Sequence, residues 1–105
     1  MKFTALNNKS QFAYLRKEEF CYNASGLKVF IKENLEESSR LGISISSRFA
    51  NAVNRNKFKR RIREVVRGLD SELNLDIYIE GNKEASKLPF SNIENIILSH
   101  PLLSD

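Results

Sequence analysis

Residues 55–64 read RNKFKRRIRE, which sets six Lys or Arg side chains and Asn56 within ten positions. Such residues grip phosphate: the guanidinium of Arg offers a planar fork of donors that engages phosphate oxygens bidentately and stays charged at any physiological pH. From Arg40 to Arg67 nine Lys or Arg stand against one acid, Glu64, while the rest of the chain carries eight against twelve. The modest net charge of +4 therefore conceals a concentrated basic block. Like charges held this close repel unless a polyanion relieves them, which points to a nucleic acid or an anionic membrane.

Other chemistry finds little support. His100 and Cys21 are the single residues of their types, so they form no zinc-ligand cluster and no nucleophile–base pair. The acids are scattered without a paired general acid and base, and no Gly-rich phosphate loop precedes a helix. The protein itself is not expected to cut a substrate, and both His100 and Cys21 read as structural or incidental. One cysteine cannot make an internal disulfide, no charged-then-apolar leader opens the chain, and no apolar run nears 18 residues, so a cytosolic protein is expected. No feature calls for a membrane or for an obligate protein partner.

A chain of 105 residues, 41% hydrophobic and 29% charged, suits one globular domain, residues 1–105, around a modest core. Periodicity supplies its elements. Residues 9–18 suit a short helix with Ser10 as its N-cap and Phe12 and Leu15 facing inward. Residues 27–32, 41–46 and 75–80 alternate with period two and read as strands, each with one apolar face; residues 20–22 could add a short edge strand. Residues 33–39, ENLEESS, read as a polar connection. A last helix spans about 90–98, with Ile93, Ile96 and Ile97 on its covered face and Pro101 beyond its end.

The basic block falls on a long helix, residues 52–68. Phe58, Ile62, Val65, Val66 and Leu69 recur at i, i+4, i+7, i+8 and i+11 and make one apolar stripe, and Gly68 stands near the end as a terminator. At the same angular step Asn56, Arg60, Arg63 and Arg67 gather on the opposite side, with Lys59 at their margin. Mixed Glu/Lys pairs would serve solubility; uncompensated like charges destabilise an isolated helix and imply an external anion. A membrane-surface helix would need the apolar stripe for lipid, whereas this fold needs it for the core.

The strands suggest a second surface. With Leu27, Val29 and Ile31 inward, Lys28, Phe30 and Lys32 share the outer face, and the small Ser44 and Ser46 on the next strand leave a shallow trough. An exposed aromatic beside lysines suits single-stranded RNA, because stacking a base on a ring contributes about 1 to 3 kcal/mol whatever the sequence.

Arg55-Asn56-x-x-Lys59-Arg60-x-x-Arg63-Glu64, preceded by Asn51-Ala52-Val53, resembles the signature of the bacterial ribonuclease P protein subunit, and Gly42-Ile-Ser-Ile-Ser46 is similar to that family's strand leading into the helix. The likeness extends more loosely to Ser10-Gln-Phe12, Phe30 and residues 76–83. It implies an α+β two-layer sandwich of order α-β-β-β-α-β-α, related to ribosomal-protein-like folds. It further implies a partner RNA, the ribonuclease P RNA, that with Mg2+ at its own active site hydrolyses precursor tRNA to release the 5′ leader, the protein serving as accessory subunit. By position, Arg55, Asn56, Lys59, Arg60, Arg63 and Arg67 would meet the RNA subunit, and Phe12, Phe30, Arg48 and Lys83 would meet the leader in a cleft between the sheet and the first helix. The chain departs from the family pattern at Arg16, Ser47, Ala50 and Asn82, all bearing on that cleft, which implies weaker leader contact. The alternative reading is a general RNA- or ribosome-binding module with no processing role; a DNA-reading helix is remote, since no helix-turn-helix pair is evident.

Overall fold

Residues 1–6, 9–46 and 51–103 are described by the structure, a computed structural model, except for the side chains of Lys9 and Gln11. The chain runs β1 (Phe3–Ala5), α1 (Lys9–Leu15), β2 (Cys21–Ala24), β3 (Leu27–Glu33), β4 (Ser39–Ile45), α2 (Ala52–Arg67), β5 (Leu75–Gly81) and α3 (Phe90–Leu98), with single 3-10 turns at Glu18–Phe20 and Lys83–Lys87. The five strands form one sheet in the order β1-β4-β5-β3-β2. β4 pairs parallel with both β1 and β5, so α2 is the crossover of a β-α-β unit, while β3 pairs antiparallel with β5 and β2.

Alternation in the strands decides which side α2 covers. Leu27, Val29 and Ile31 of β3 and Ile77 and Ile79 of β5 point to one face and meet Phe58, Ile62, Val65 and Val66 of α2 and Ile93 and Ile97 of α3. The helical stripe therefore packs where its spacing placed it. Truncating Ile62, which has no exposed surface, to Ala would cost about 2 to 5 kcal/mol through lost burial and the cavity left behind.

The opposite face is not open along its length. α1 lies over β3 and β5 there, and Leu6, Leu15, Phe30 and Tyr78 form a second, smaller core with Phe12 and Cys21 packed against it. β5 is consequently buried on both faces over most of its length, where strict alternation led to one apolar face. Gly42 of β4 makes room for this layer: a Cβ there would stand 2.8 Å from Phe12 Cε1 and 2.9 Å from the Leu6 carbonyl oxygen.

Several boundaries differ from the sequence reading. α1 begins at Lys9, so Ser10 lies inside the helix rather than capping it, and it ends at Leu15, with a 3-10 turn following at Glu18–Phe20. β4 starts at Ser39, inside the stretch read as a connection, where Ser39 pairs with Phe3 of β1 and its Oγ accepts the Leu75 N–H at 3.0 Å. The rest of that connection is held by Asn34, whose amide donates to Asp76 at 2.8 Å and whose oxygen accepts the Glu36 N–H at 2.9 Å. β1 was not anticipated; three residues carry no usable period, and its pairing with β4 is purely tertiary. The remaining order, α-β-β-β-α-β-α, stands. Gly68 closes α2 with φ −80°, a right-handed conformation open to any residue, so its freedom as a glycine is not used.

Candidate nucleic-acid interface

α2 starts at Asn51, whose side chain accepts the Asn54 N–H at 2.9 Å, a cap that fixes the register of every cation after it. With Phe58, Ile62, Val65 and Val66 buried, Asn56, Arg60, Arg63 and Arg67 are exposed, and Arg55 and Lys59 are partly so. Six of the residues expected to meet an RNA subunit thus share one helix, outside the core. Among the described residues, ion pairs join Arg16 to Glu80 and Arg40 to Asp76, and none involves a cation of α2. The helix presents its charge uncompensated.

Arg40 departs from the block to which its sequence position assigned it. It closes on Asp76 through two hydrogen bonds and is partly buried, so its charge serves the fold. Strand β1 adds what the sequence did not disclose: Arg67 lies over the Phe3 ring at 5.6 Å, and Phe3, Lys59 and Arg63 line a shallow recess of roughly 190 Å³ between β1 and α2. The cationic face therefore continues onto the edge of the sheet. Only pairing of Phe3–Ala5 with β4 brings it there, and no local signal announced that.

The second surface is partly as expected. Phe12 and Phe30 come together on Tyr78, with ring centroids 5.0 and 5.8 Å away. Phe30, expected as an exposed platform, is only 5% exposed, because α1 covers that stretch of the sheet. It contributes an edge to a recess of roughly 490 Å³ that it shares with Arg16, Lys28 and Asn23. Phe12 keeps more exposed surface than Phe30. Tyr78, central to this cluster, could have been placed on the outer face from the inward period of Ile77 and Ile79. Lys32 extends over the Tyr14 ring at 4.2 Å, at the end of the face that α1 covers. At the other end Ser44, Ser46, Lys28 and Asn82 border a second recess of roughly 280 Å³, next to which Lys83 is exposed. Arg48, like Ser47 and Ala50, lies outside the described residues.

His100 stays apart from both surfaces, and Cys21 borders the larger recess without chemistry of its own. The Leu102 N–H donates to His100 Nδ1 at 3.1 Å, so Nε2 carries the proton that the Phe20 carbonyl accepts at 2.6 Å, and the ring is a neutral latch between the C-terminal turn and the segment before β2. Burial pushes the Cys21 thiol above its ordinary value, the reverse of an activated nucleophile. Among the described residues no three His, Cys, Asp or Glu side chains gather as a metal centre would require, and no helix is long and apolar enough to cross a membrane.

Residues 1–100 match the family model described as Ribonuclease P. The ribonuclease P protein component of Finegoldia magna is 31% identical over 94 residues, covering 88% of this chain and 80% of that protein. That of Streptococcus pneumoniae is 27% identical over 95 residues, covering 89% and 77%. Among solved structures, the Staphylococcus aureus RNase P protein superposes with a TM-score of 0.77 at 30% identity, covering 94% of this chain and 93% of that one. The RNase P protein from Thermotoga maritima superposes with a TM-score of 0.71 at 25% identity, covering 93% of each.

The five-stranded sheet and its crossover helix are those of the RNase P proteins on which the chain superposes, the α+β protein subunit of a ribonucleoprotein. The chain belongs to the ribonuclease P protein family, and its role is the protein-subunit role of that family.

Proposed function

We propose that the exposed face of α2 clasps the ribonuclease P RNA while the sheet's outer face receives the 5′ leader of precursor tRNA. One observation carries this reading: α2 buries its apolar stripe completely and leaves Arg55, Asn56, Lys59, Arg60, Arg63 and Arg67 without a carboxylate partner among the described residues. Phosphates of a folded RNA supply the missing anions, and each one neutralised releases counterions. Catalysis then belongs to the RNA. Magnesium bound there would stabilise developing charge and activate water for phosphodiester hydrolysis; the protein's residues bind and orient. On the leader side the contributors are Phe12, the accessible edge of Phe30, Lys83 and Arg48.

Adding the protein to a bacterial ribonuclease P RNA at low magnesium tests the reading, with an increase in precursor-tRNA cleavage expected. Equal binding to unrelated structured RNAs, with no effect on cleavage, would instead describe a general RNA-binding module.

A further inference from the structure

α1 covers only part of the sheet's outer face. In register across the uncovered part stand Asn23, Lys28, Glu80 and Ser44. Arg16, just past the end of α1, reaches over this row and its Nε donates to Glu80 Oε1 at 2.6 Å. The pair separates the two recesses described above, one bordered by Arg16 and the other by Glu80, with Lys28 common to both.

Among the described residues lining the two recesses the charges balance, unlike those on α2: Arg16 and Lys28 face Glu18 and Glu80. A phosphate chain laid along this floor would meet the Glu80 carboxylate, which repels it. A nucleobase would not be repelled, because base edges set a hydrogen-bond donor beside an acceptor. The pair offers the complement, since the Glu80 Oε2 atom and the terminal nitrogens of Arg16 are engaged by no other described residue.

We propose that the Arg16–Glu80 pair is a base-edge clamp: single-stranded RNA enters the cleft with its bases turned toward the sheet and its phosphates toward the rim, near Lys83. This rests on the leader reading of the cleft given above. Arg16, read as a departure from the family pattern, is then a recognition element in its own right. Leader binding draws on base edges and releases few counterions, whereas binding of the RNA subunit through α2 releases many.

The test uses holoenzyme reconstituted from this protein and a bacterial ribonuclease P RNA. The affinity gained from the leader is measured by comparing precursor with mature tRNA, for leaders of ordinary RNA, leaders with one abasic nucleotide moved along the strand, and leaders with uncharged methylphosphonate linkages. The expected result is a loss of roughly tenfold at one or two abasic positions, and a smaller loss with the uncharged linkages, from the rim contact near Lys83. In Glu80→Gln, Arg16 is released toward phosphate, so the salt slope of the leader-dependent affinity steepens by about 0.7, the increment for one single-strand phosphate. The charge-swapped pair, Arg16→Glu with Glu80→Arg, restores the wild-type slope and abasic sensitivity.

An advantage indifferent to every abasic position but lost with uncharged linkages would overturn the clamp while leaving the leader reading in place. So would a salt slope unmoved by Glu80→Gln. Equal affinity for precursor and mature tRNA in the wild type would remove the leader reading and the clamp together.

Discussion

Arg40 closes on Asp76 across adjacent parallel strands, Nε to Oδ1 at 2.7 Å and Nη2 to Oδ2 at 2.6 Å, with Asp76 only 1% exposed. Asn34 donates to the same carboxylate, so the loop between β3 and β4 hangs on this pair. Removing one member of a buried pair leaves the other charge uncompensated. Arg40→Ala is expected to cost about 3 kcal/mol or more in urea unfolding, and to leave the salt slope of RNA binding unchanged. The latter separates Arg40 from the cations of α2 despite their common place in the basic block.

Two glycines have opposite sensitivities. Gly42→Ala drives a methyl group into Phe12 and the Leu6 carbonyl and should destabilise by roughly 1 to 3 kcal/mol, as overpacking does. Gly68→Ala meets only ordinary contacts, the nearest at 3.5 Å, and should be neutral or stabilising by about 0.4 to 1 kcal/mol through the unfolded chain. Thermal unfolding of the two variants checks both signs.

These glycines also mark how far the sequence could be read. The α2 stripe was legible because five apolar residues at helical spacing admit one packing, and the cations then have one place to go. The second core was not legible: Phe30 and Tyr78 lie on the outer face by strand period, and only the tertiary placement of α1 on Gly42 turns that face inward. Arg16 and Glu80 are 64 positions apart, and neither carries a local signal that they meet. β1 and the extension of the cationic face to Phe3 were hidden for the same reason.

Phe30 and Lys83, read alike from the sequence, should respond differently. Phe30→Ala removes a nearly buried ring from beneath α1 and should cost about 3 to 5 kcal/mol of stability. Lys83→Ala, at an exposed position, should change stability by less than about 0.5 kcal/mol and lower affinity for leader-bearing substrate only. Unfolding curves measured beside precursor- and mature-tRNA binding distinguish the two outcomes.

His100 predicts a pH dependence. Burial holds its pKa below the ordinary 6.5, against a smaller opposing effect of the Phe20 carbonyl, and the Leu102 N–H occupies the nitrogen that would take the second proton. Below about pH 6.5 the unfolded chain binds a proton that the folded one resists, so stability is full above that value and falls as pH drops through it. Denaturant midpoints between pH 5 and 8 should show this decline, reduced in His100→Gln.

The central claim is that the outward cations of α2 hold the RNA through its phosphates. The direct measurement is the affinity of the protein for ribonuclease P RNA as a function of salt, for wild type and for Arg60→Ala with Arg63→Ala. The predicted result is a steep wild-type decline and a double variant that binds more weakly, its slope flatter by roughly 0.7 to 0.9 for each phosphate it no longer neutralises. An unchanged slope in the double variant would contradict the account.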